Sequence, residues 1–219
     1  HVFNTFNPLR GRDRNVTVDY YLGRAADEVK IEFLDGGGTV LRSFTGTPKD
    51  DPNAGLPPGV DPDMAAFFGM GRSRVGVAKG MNRFTWDMRH EGSVVFPGMI
   101  MWAAQPQRGP AAPPGKYAAR ITANGETKTM AFEIGLDPRL GADGITVEDL
   151  REQFALSAKI RDKVTEANQA VITIRSLRDQ VNERMQKIPP RRKAEIQKLA
   201  DSLLTTLATV EAQVYQVKN

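Results

Sequence analysis

The sequence predicts an α+β chain in two parts, a two-sheet antiparallel β-sandwich followed by a long antiparallel helical hairpin. Composition changes near residue 140: 12 of the 14 prolines, 18 of the 20 glycines and 14 of the 16 aromatic residues precede it. Short runs of alternating apolar residues fill the first part, and a helical period fills the second. We therefore expect residues 15–140 to form the sandwich, 141–219 the hairpin, and 1–14 a linker from an upstream domain.

The first part divides into about seven short strands with turn residues between them. Alternation of period 2 is clearest from Val16 to Leu22, and Asn124-Gly125 is a strong hairpin signal because both residues tolerate positive φ. Glycines 36–38 predict a second tight turn. Seven strands in about 125 residues indicate two packed sheets. The predicted runs are Val16–Leu22, Val29–Phe33, Thr39–Phe44, Phe84–Met88, Val94–Trp102, Tyr117–Ala123 and Thr127–Ile134.

The second part predicts two helices separated by Pro189-Pro190. Thr146 is a candidate N-cap of the first helix, with Asp149 three residues later as a capping box. Proline lacks an amide hydrogen and restricts the residue before it, so the pair ends the first helix. A short turn makes the two helices antiparallel neighbours. The apolar positions that recur every three or four residues include Val164, Val171, Ile174, Val181, Leu203 and Val210.

Composition excludes several functional classes. The net charge is only +4, and no basic run exceeds Arg191-Arg192-Lys193, so a nucleic-acid binder is not expected. No apolar stretch is long enough to span a membrane. Cysteine is absent, which excludes disulfides, thiol nucleophiles and cysteine zinc sites. The chain begins with His rather than Met, and no signal-like segment follows, so we expect it to be part of a longer protein.

No catalytic or cofactor motif is recognisable. Asp87 and His90 lie close together, but no nucleophile or third group accompanies them, and a same-face ion pair of Asp87 with Arg89 is the simpler interpretation. The glycines around residues 36 and 71 lack the spacing of a phosphate-binding loop. We therefore expect no enzyme activity, no cofactor and no metal. The acidic residues of one long loop do not match a calcium-loop pattern, although a calcium site there stays open: Asp50, Asp51, Asp61 and Asp63.

Two kinds of contact surface remain. Aromatic residues in loops or on the outer face of the sandwich could stack on sugar rings or pack on a neighbouring domain: Phe67, Phe68, Trp102 and Tyr21. The apolar helix positions, above all Val164, Val171, Ile174, Val181, Leu203 and Val210, either pack within the hairpin or bind a partner, including a second copy.

Several segments together resemble a known family. They are residues 82–89 (NRFTWDMR), residues 96–102 (FPGMIMW), Arg108-Gly109-Pro110, residues 112–117 (APPGKY) and Asp137-Pro138-Arg139. In this order they resemble the C-terminal region of bacterial exported proteins with BNR or sortilin-like repeats, often described as glycosyl hydrolase-like. The resemblance covers roughly residues 15–188. The sandwich part is also similar to the immunoglobulin-like domain of flagellar hook-capping proteins.

The resemblance implies an immunoglobulin-like sandwich downstream of a β-propeller, in a periplasmic or secreted protein. Any active site is then expected in the propeller, and no catalytic residue carries over. The chain is accordingly expected to be a non-catalytic accessory module that braces the propeller or mediates assembly. The alternatives are a carbohydrate-binding module, with a polysaccharide as partner, and an interaction domain that self-associates through its helices.

Overall fold

The computed structural model of the chain describes residues 1–3, 7–11, 15–49, 74–100 and 106–215. It is mixed α+β, with a curled, mostly antiparallel multi-strand sheet and a long C-terminal helical region. The chain divides into two units. The sheet unit comprises His1–Glu91 and Pro110–Ala155, and the helical unit comprises Gly92–Gly109 and Leu156–Asn219.

The strands form one five-stranded and two two-stranded sheets, in the orders β1-β9-β8-β3-β4, β2-β5 and β6-β7. The pairs β3–β4, β3–β8, β8–β9 and β2–β5 are antiparallel, whereas β1 pairs in parallel with β9. In the described part of the chain the strands are β1 Leu9–Arg10, β2 Val16–Leu22, β3 Val29–Asp35, β4 Val40–Gly46, β5 Gly80–Trp86, β6 Arg89–Glu91, β7 Arg108–Ala111, β8 Gly115–Ala123 and β9 Glu126–Leu136.

Both predicted turns are confirmed. Asn124 and Gly125 join β8 to β9 with φ of 52° and 80°, and Ala123 pairs with Glu126 across them. Positive φ at both central positions matches the right-handed twist of the flanking strands. In the turn between β3 and β4, Asp35 Oδ1 accepts hydrogen bonds from the amides of Gly37 and Thr39, at 2.9 and 2.8 Å.

The inward side chains of the β2–β5 sheet and of the five-stranded sheet form one apolar cluster. At its centre the ring of Phe33 stacks on Trp86 with centroids 4.4 Å apart, and Phe84 lies beside them. Trp86 Nε1 donates to the carbonyl of Arg89, so its polar atom is satisfied inside the core. Burial of each large side chain stabilises the unit by about 1.5–3 kcal/mol, which makes this cluster the main source of its stability.

Two sequence predictions in this region are wrong. The alternation assigned to Phe84–Met88 ends at Trp86, because Met88 has a φ of 54° that no strand accommodates. The apolar run Val94–Trp102 is not a strand over its described residues, 94–100. Instead, Val94 bonds to helix side chains: its carbonyl accepts from Asn168 Nδ2 at 2.6 Å and its amide donates to Thr165 Oγ1 at 3.2 Å.

The amino-terminal residues predicted as a linker take part in the sheets. Leu9 and Arg10 extend the five-stranded sheet beside β9. Val2 bridges Tyr20 in β2, and the amide of Phe3 donates to the carbonyl of Asp19 at 3.0 Å. These backbone pairings are independent of side-chain alternation, which explains why a stretch without a strand pattern joins a sheet.

The helices are α1 Pro138–Ala142, α2 Val147–Gln186 and α3 Pro190–Val214. The predicted capping box is confirmed: the amide of Asp149 donates to Thr146 Oγ1 at 3.1 Å, and the amide of Thr146 donates to Asp149 Oδ2 at 2.7 Å. Hydrogen bonds to Asp149 Oδ2 from the Thr146 hydroxyl and then from the Thr146 amide hold the pKa of Asp149 below its usual value. At 40 residues α2 is about 60 Å long. As predicted, it ends just before the proline pair.

Candidate functional site

The outer face of the β2–β5 sheet carries a group of exposed rings. Tyr21 lies opposite Met81 in β5, and its amide donates to the carbonyl of His1 at 2.8 Å. The inward position of Val2 places His1 and Phe3 on the outer side with Tyr21, and the His1 and Phe3 rings lie 4.7 Å apart. Three of the exposed large apolar residues of the sheet unit, Phe3, Tyr21 and Met81, therefore share this face. We call His1, Phe3, Tyr21 and Met81 the aromatic face.

An ion pair borders the aromatic face. Arg83 donates to the two carboxylate oxygens of Asp19 from Nε and Nη2, at 2.7 and 2.9 Å. Asp19 and Arg83 are directly opposite each other in the β2–β5 register. The hydrogen bonds from Arg83 lower the pKa of Asp19. The opposite charges of Asp19 and Arg83 compensate each other. The aromatic face is therefore bordered by a polar pair that carries no net charge.

A cleft of about 340 Å³ opens in the sheet unit next to Tyr21. Its floor is apolar and consists of side chains from the amino-terminal segment, β2 and β8: Val2, Leu22, Ile121 and Ala123. Tyr20 also lines it, but the Tyr20 hydroxyl is already engaged, donating to the carbonyl of Gly76 at 2.6 Å. The base of the cleft is therefore mainly apolar, and its volume is that of a small-ligand site.

Polar and charged side chains surround the cleft. Arg24 follows β2, Asn124 lies in the β8–β9 turn, and Glu126 and Lys128 begin β9. All four are exposed. Among the described residues, no ion pair involves Arg24, Glu126 or Lys128. These groups are consequently available to a molecule that enters the cleft.

The helical unit has a different kind of surface. Nine of the thirteen large apolar residues exposed in the described part of the chain lie in it. On α3 the residues Leu199, Leu203, Val210 and Val214 recur at steps of four, seven and four, so they form one row along the helix. Leu199 is 70% exposed. We call these four residues the outer row of α3.

An arginine–glutamate cluster joins α2 and α3 inside the helical unit. Glu211 receives hydrogen bonds from Arg175 Nε at 2.8 Å and forms an ion pair with Arg178 at 3.1 Å. The guanidinium of Arg175 lies over the ring of Phe96, 4.6 Å from its centroid. Phe96 meets Tyr215 edge to face at 5.0 Å. The Arg175 guanidinium therefore donates a hydrogen bond to Glu211 and also packs against the ring of Phe96.

The predicted positions on α2 are buried or half-buried, whereas those on α3 are exposed. Val171 and Ile174 are buried, and Val164 and Val181 are half-buried. Leu203 and Val210 are exposed and belong to the outer row. Of the six positions, Leu203 and Val210 are thus the ones available to a partner.

Of the predicted aromatic contacts, only Tyr21 lies within the described residues, where it is 43% exposed. Phe67, Phe68 and Trp102 lie outside them, as do the four loop aspartates considered for calcium. Sequence reasoning missed Phe3 and Met81 as neighbours of Tyr21. No local sequence pattern predicts that Phe3 and Met81 lie near Tyr21. Their proximity depends on the long-range backbone pairing of His1–Phe3 and of β5 with β2.

Asp87 lies in the turn that follows β5, and His90 packs against an aromatic ring. Asp87 Oδ1 accepts from the amide of Arg89 at 3.2 Å and lies 3.8 Å from Arg42. The ring of His90 lies 4.5 Å from that of Phe154. Because β5 ends at Trp86, Asp87 and Arg89 do not alternate along one strand, as the sequence predicted, and the Arg89 amide bonds to Asp87 across a turn.

Among the residues that the structure describes, no cluster of three or more His, Asp or Glu side chains could hold a metal ion. No helix formed by these residues is both long and apolar enough to cross a membrane. No family model matches the chain, and no curated protein matches it by sequence.

Proposed function

We propose that this chain is a non-catalytic accessory module that mediates assembly, and that its helical unit is the surface that does so. The observation that carries the proposal is the concentration of exposed apolar residues there, nine of the thirteen in the described chain. Scattered exposed apolar residues are normal on a protein surface, whereas a contiguous set is typical of an interaction site.

The helical unit also has few buried apolar side chains among its described residues. Its buried apolar residues in the described chain are Phe96, Val171, Ile174 and Ala200. By contrast, nineteen buried residues make up the cluster of the sheet unit. Most helical stability in proteins comes from packing of an apolar face. A helical region with few buried and many exposed apolar side chains gains stability when a partner covers it.

α3 shows which face the partner would cover. One row, Ala200, Leu204 and Leu207, is buried or half-buried, and the outer row lies beside it. The two rows together widen the apolar arc of α3 beyond the roughly 100° that a surface helix needs. The nine residues from Ser202 to Val210 carry no charge. A helix face that remains in water usually carries charges, so this composition favours contact.

The partner that we propose is an upstream β-propeller of the same polypeptide, in a periplasmic or secreted glycosyl hydrolase-like protein. The resemblance of residues 82–89 and 112–117 to such proteins supports this choice. A second copy of the chain is the alternative partner. Both alternatives use the outer row of α3.

The proposal includes an immunoglobulin-like sandwich as the body of the module. The strand order β1-β9-β8-β3-β4 with β2-β5 supports it, as does the parallel pairing of β1 with β9. Tyr117, near the start of β8, donates its hydroxyl to the carbonyl of Pro113 at 2.7 Å, the contact known as a tyrosine corner in such domains. For the proposed helical hairpin, the contact between Arg175 and Glu211, 36 residues apart, is the supporting observation.

The test is a binding experiment with matched variants. The 219-residue chain is analysed by light scattering across a concentration series, and by titration with the upstream region of the same gene product. The double variant Leu203→Glu/Val210→Glu should abolish complex formation, because two charges would be buried in the contact. The control is Ala208→Glu, which adds the same charge at an exposed position on another face of α3.

Complex formation by the wild-type chain and by the control, lost in the double variant, supports the proposal. A mass that rises above 24.1 kDa with concentration assigns the surface to self-association. A chain that stays monomeric and does not bind its upstream region contradicts the proposed function.

A second candidate function, carbohydrate binding, is favoured by the aromatic face. Exposed rings on a sheet offer flat surfaces to the C–H faces of sugars. The test is retention of the chain in gels that contain a polysaccharide. Tyr21→Ala should reduce retention, whereas Val40→Ala, which removes an exposed apolar side chain from β4, should not. Equal retention of Tyr21→Ala and the wild-type chain would contradict this candidate.

A further inference from the structure

We infer that Asn124 is a site of spontaneous covalent modification, at which the backbone nitrogen of Gly125 closes a succinimide ring that water opens to aspartate and isoaspartate. The inference goes beyond the proposed function. It depends neither on the helical unit nor on a ligand of the cleft, because both residues belong to the sheet unit and react with each other. They also form the turn between β8 and β9, two interior strands of the five-stranded sheet.

The reaction needs only the two residues and water. The Gly125 nitrogen forms a bond to Cγ of Asn124, the bond from Cγ to Nδ2 breaks, and the displaced proton passes through solvent to the leaving ammonia. Water then adds to one of the two ring carbonyls. Opening at Cγ restores the original backbone and gives aspartate, whereas opening at the backbone carbonyl carbon gives isoaspartate, in which the chain runs through the side chain.

The sequence around Asn124 removes the steric barrier to ring closure. The chain has nine asparagines, and Asn124 is the only one that is followed by glycine. Because glycine has no Cβ, its nitrogen can approach Cγ of the preceding residue without a side-chain clash. Apart from the chain neighbours of Gly125, no described atom lies within 4 Å of the position that a Cβ would take there. The space around the ring is therefore free.

The reacting groups are also not held by other contacts. Among the hydrogen bonds of the described residues, none uses the Gly125 amide or the Asn124 side chain, and both residues are exposed. The attacking nitrogen and the attacked carbonyl are thus open to water. No hydrogen bond to a described partner has to break before the ring closes.

Two other asparagines show the opposite situation. Asn82 Nδ2 donates to two backbone carbonyls, at 2.9 and 3.0 Å. Asn168 is buried, and its Nδ2 donates to the carbonyl of Val94 at 2.6 Å. Each side-chain amide is fixed by its partners, and each is followed by a residue with a bulky side chain. These two residues are therefore internal controls for Asn124 in the same molecule.

The turn lies at an exposed end of the hairpin. Ring closure requires rotation about the Cα–C bond of Asn124, and the pair Ala123–Glu126 is the last one of the β8–β9 ladder that opposes it. The four residues 126–129 that follow the turn are all exposed. Local opening of such an end costs much less free energy than global unfolding. The native chain can therefore reach the reactive conformation while the sheet stays folded.

The two products should affect the fold differently. Isoaspartate adds one carbon atom to the backbone of a two-residue loop, and loop length sets the register of a hairpin. The contact between Thr122 Oγ1 and Thr127 Oγ1, at 3.0 Å on the neighbouring pair, is the first that this would disturb. Aspartate keeps the backbone, and Asp-Gly favours the same turn as Asn-Gly. It adds a second carboxylate beside Glu126 to the lining of the cleft.

The experiment incubates the folded 219-residue chain in mildly alkaline buffer over several weeks. Samples are digested under mildly acidic conditions, and mass spectrometry quantifies the asparagine, aspartate and isoaspartate forms of each peptide. A sample from the start corrects for conversion during digestion. We expect Asn124 to convert at least about tenfold faster than Asn82 or Asn168, a difference of about 1.4 kcal/mol in barrier. A synthetic peptide of residues 122–128 gives the rate without the fold.

Two variants separate the steric argument from the structural one. Gly125→Ala should slow conversion by about tenfold or more, because its methyl group contacts the closing ring. Thermal unfolding verifies that this variant is folded, and the internal controls and the peptide decide the question if it is not. Asn124→Asp carries the aspartate product from the start and should unfold at the wild-type midpoint. The isoaspartate fraction, separated by ion exchange, should unfold at a lower midpoint.

Four results would overturn the inference. Asn124 that stays intact in the folded chain while the peptide converts shows that the hairpin protects it. Equal rates at Asn124 and at the internal controls show that the turn gives no selectivity. Aspartate without isoaspartate indicates direct hydrolysis with no succinimide. Equal unfolding midpoints of the isoaspartate fraction and Asn124→Asp contradict the predicted effect on register.

Discussion

Arg175 Nε donates to Glu211 Oε1 at 2.8 Å across 36 residues of sequence, and the same guanidinium lies over the ring of Phe96. The Glu211 side chain is only 13% exposed, so its charge depends on Arg175 and Arg178 for compensation. Removal of one partner of a largely buried charge pair leaves the other uncompensated. This contact therefore provides a direct test of how the helical unit is held together.

We expect Glu211→Ala to lower the free energy of unfolding of the helical unit by about 1–3 kcal/mol, because hydrogen bonds to charged groups contribute in this range. Urea unfolding followed by helical circular dichroism measures the change. The control is Glu183→Ala, which breaks the exposed Glu183–Lys187 pair and should cost less than about 0.5 kcal/mol. Equal losses in the two variants would show that Glu211 contributes no more than a surface pair.

Acid should destabilise the sheet unit partly through Glu32. Hydrogen bonds from Arg120 and then Lys30, at 2.8 and 2.7 Å, lower the pKa of this buried carboxylate. The stability it contributes is present above its unfolded pKa of about 4.3 and is lost as pH falls through the lower folded value.

Stability curves for the wild type and Glu32→Gln should accordingly converge as pH falls below about 4. Urea midpoints measured across this range test the expectation. Glu133→Gln, an exposed change on β9, serves as the control. If the Glu32→Gln curve remained parallel to the wild-type curve down to the lowest pH, the assigned role of Glu32 would be wrong.

Alkali should destabilise the sheet unit through two buried tyrosines. Burial raises the pKa of Tyr20 and of Tyr117 to about 12. Their stabilising effect is complete below the unfolded pKa of about 10 and is lost as pH rises through the folded value. The free energy of unfolding should therefore decrease between about pH 10 and 12.

The double variant Tyr20→Phe/Tyr117→Phe should show a shallower decrease, and tyrosinate absorbance should report late ionisation in the wild type. At neutral pH each single variant should cost about 1 kcal/mol, because the carbonyls of Gly76 and Pro113 each lose a hydrogen bond. An unchanged alkaline slope in the double variant would contradict this account.

Gly46 is required by close packing at the end of β4. A Cβ at this position would lie 2.2 Å from the carbonyl oxygen of Val75, a backbone atom that cannot move aside easily. We expect Gly46→Ala to cost about 1–3 kcal/mol, the range of overpacking substitutions. Gly23→Ala is the matched control, because nothing lies within 4 Å of its Cβ, and it should be neutral within about 1 kcal/mol. A neutral Gly46→Ala would show that β4 shifts freely.

Local signals predicted much of the secondary structure. The alternation of Val16–Leu22 was sufficient to predict β2, and Asn124-Gly125 was sufficient to predict the β8–β9 turn. Each signal depends on the backbone preferences of a few neighbouring residues. The same reasoning failed at Met88 and at Val94–Ile100. Met88 adopts a positive φ that its residue type does not predict. The backbone of Val94 bonds to side chains of α2 and not to a neighbouring strand, and hydrophobicity alone cannot distinguish a strand from such an extended segment.

The candidate site was predicted only in part. Tyr21 was identified because it alternates out of phase with the buried residues of β2, which places it on the outer face. Phe3 and Met81 were missed, since each becomes a neighbour of Tyr21 only through backbone pairing that joins distant segments. On α3, Leu203 and Val210 share a helical period with buried residues, so periodicity could not separate the covered from the uncovered positions.

The sequence by itself determined the α+β class, the strands β2, β3, β4, β8 and β9, the two hairpin turns and the capping box of α2, because these depend on local propensity, period and capping. The tertiary structure alone decided the sheet order, the parallel pairing of β1 with β9, the aromatic face, the cleft and the exposure of the outer row of α3. These features depend on which distant segments meet and which side chains they leave uncovered, and no short window of sequence contains that information.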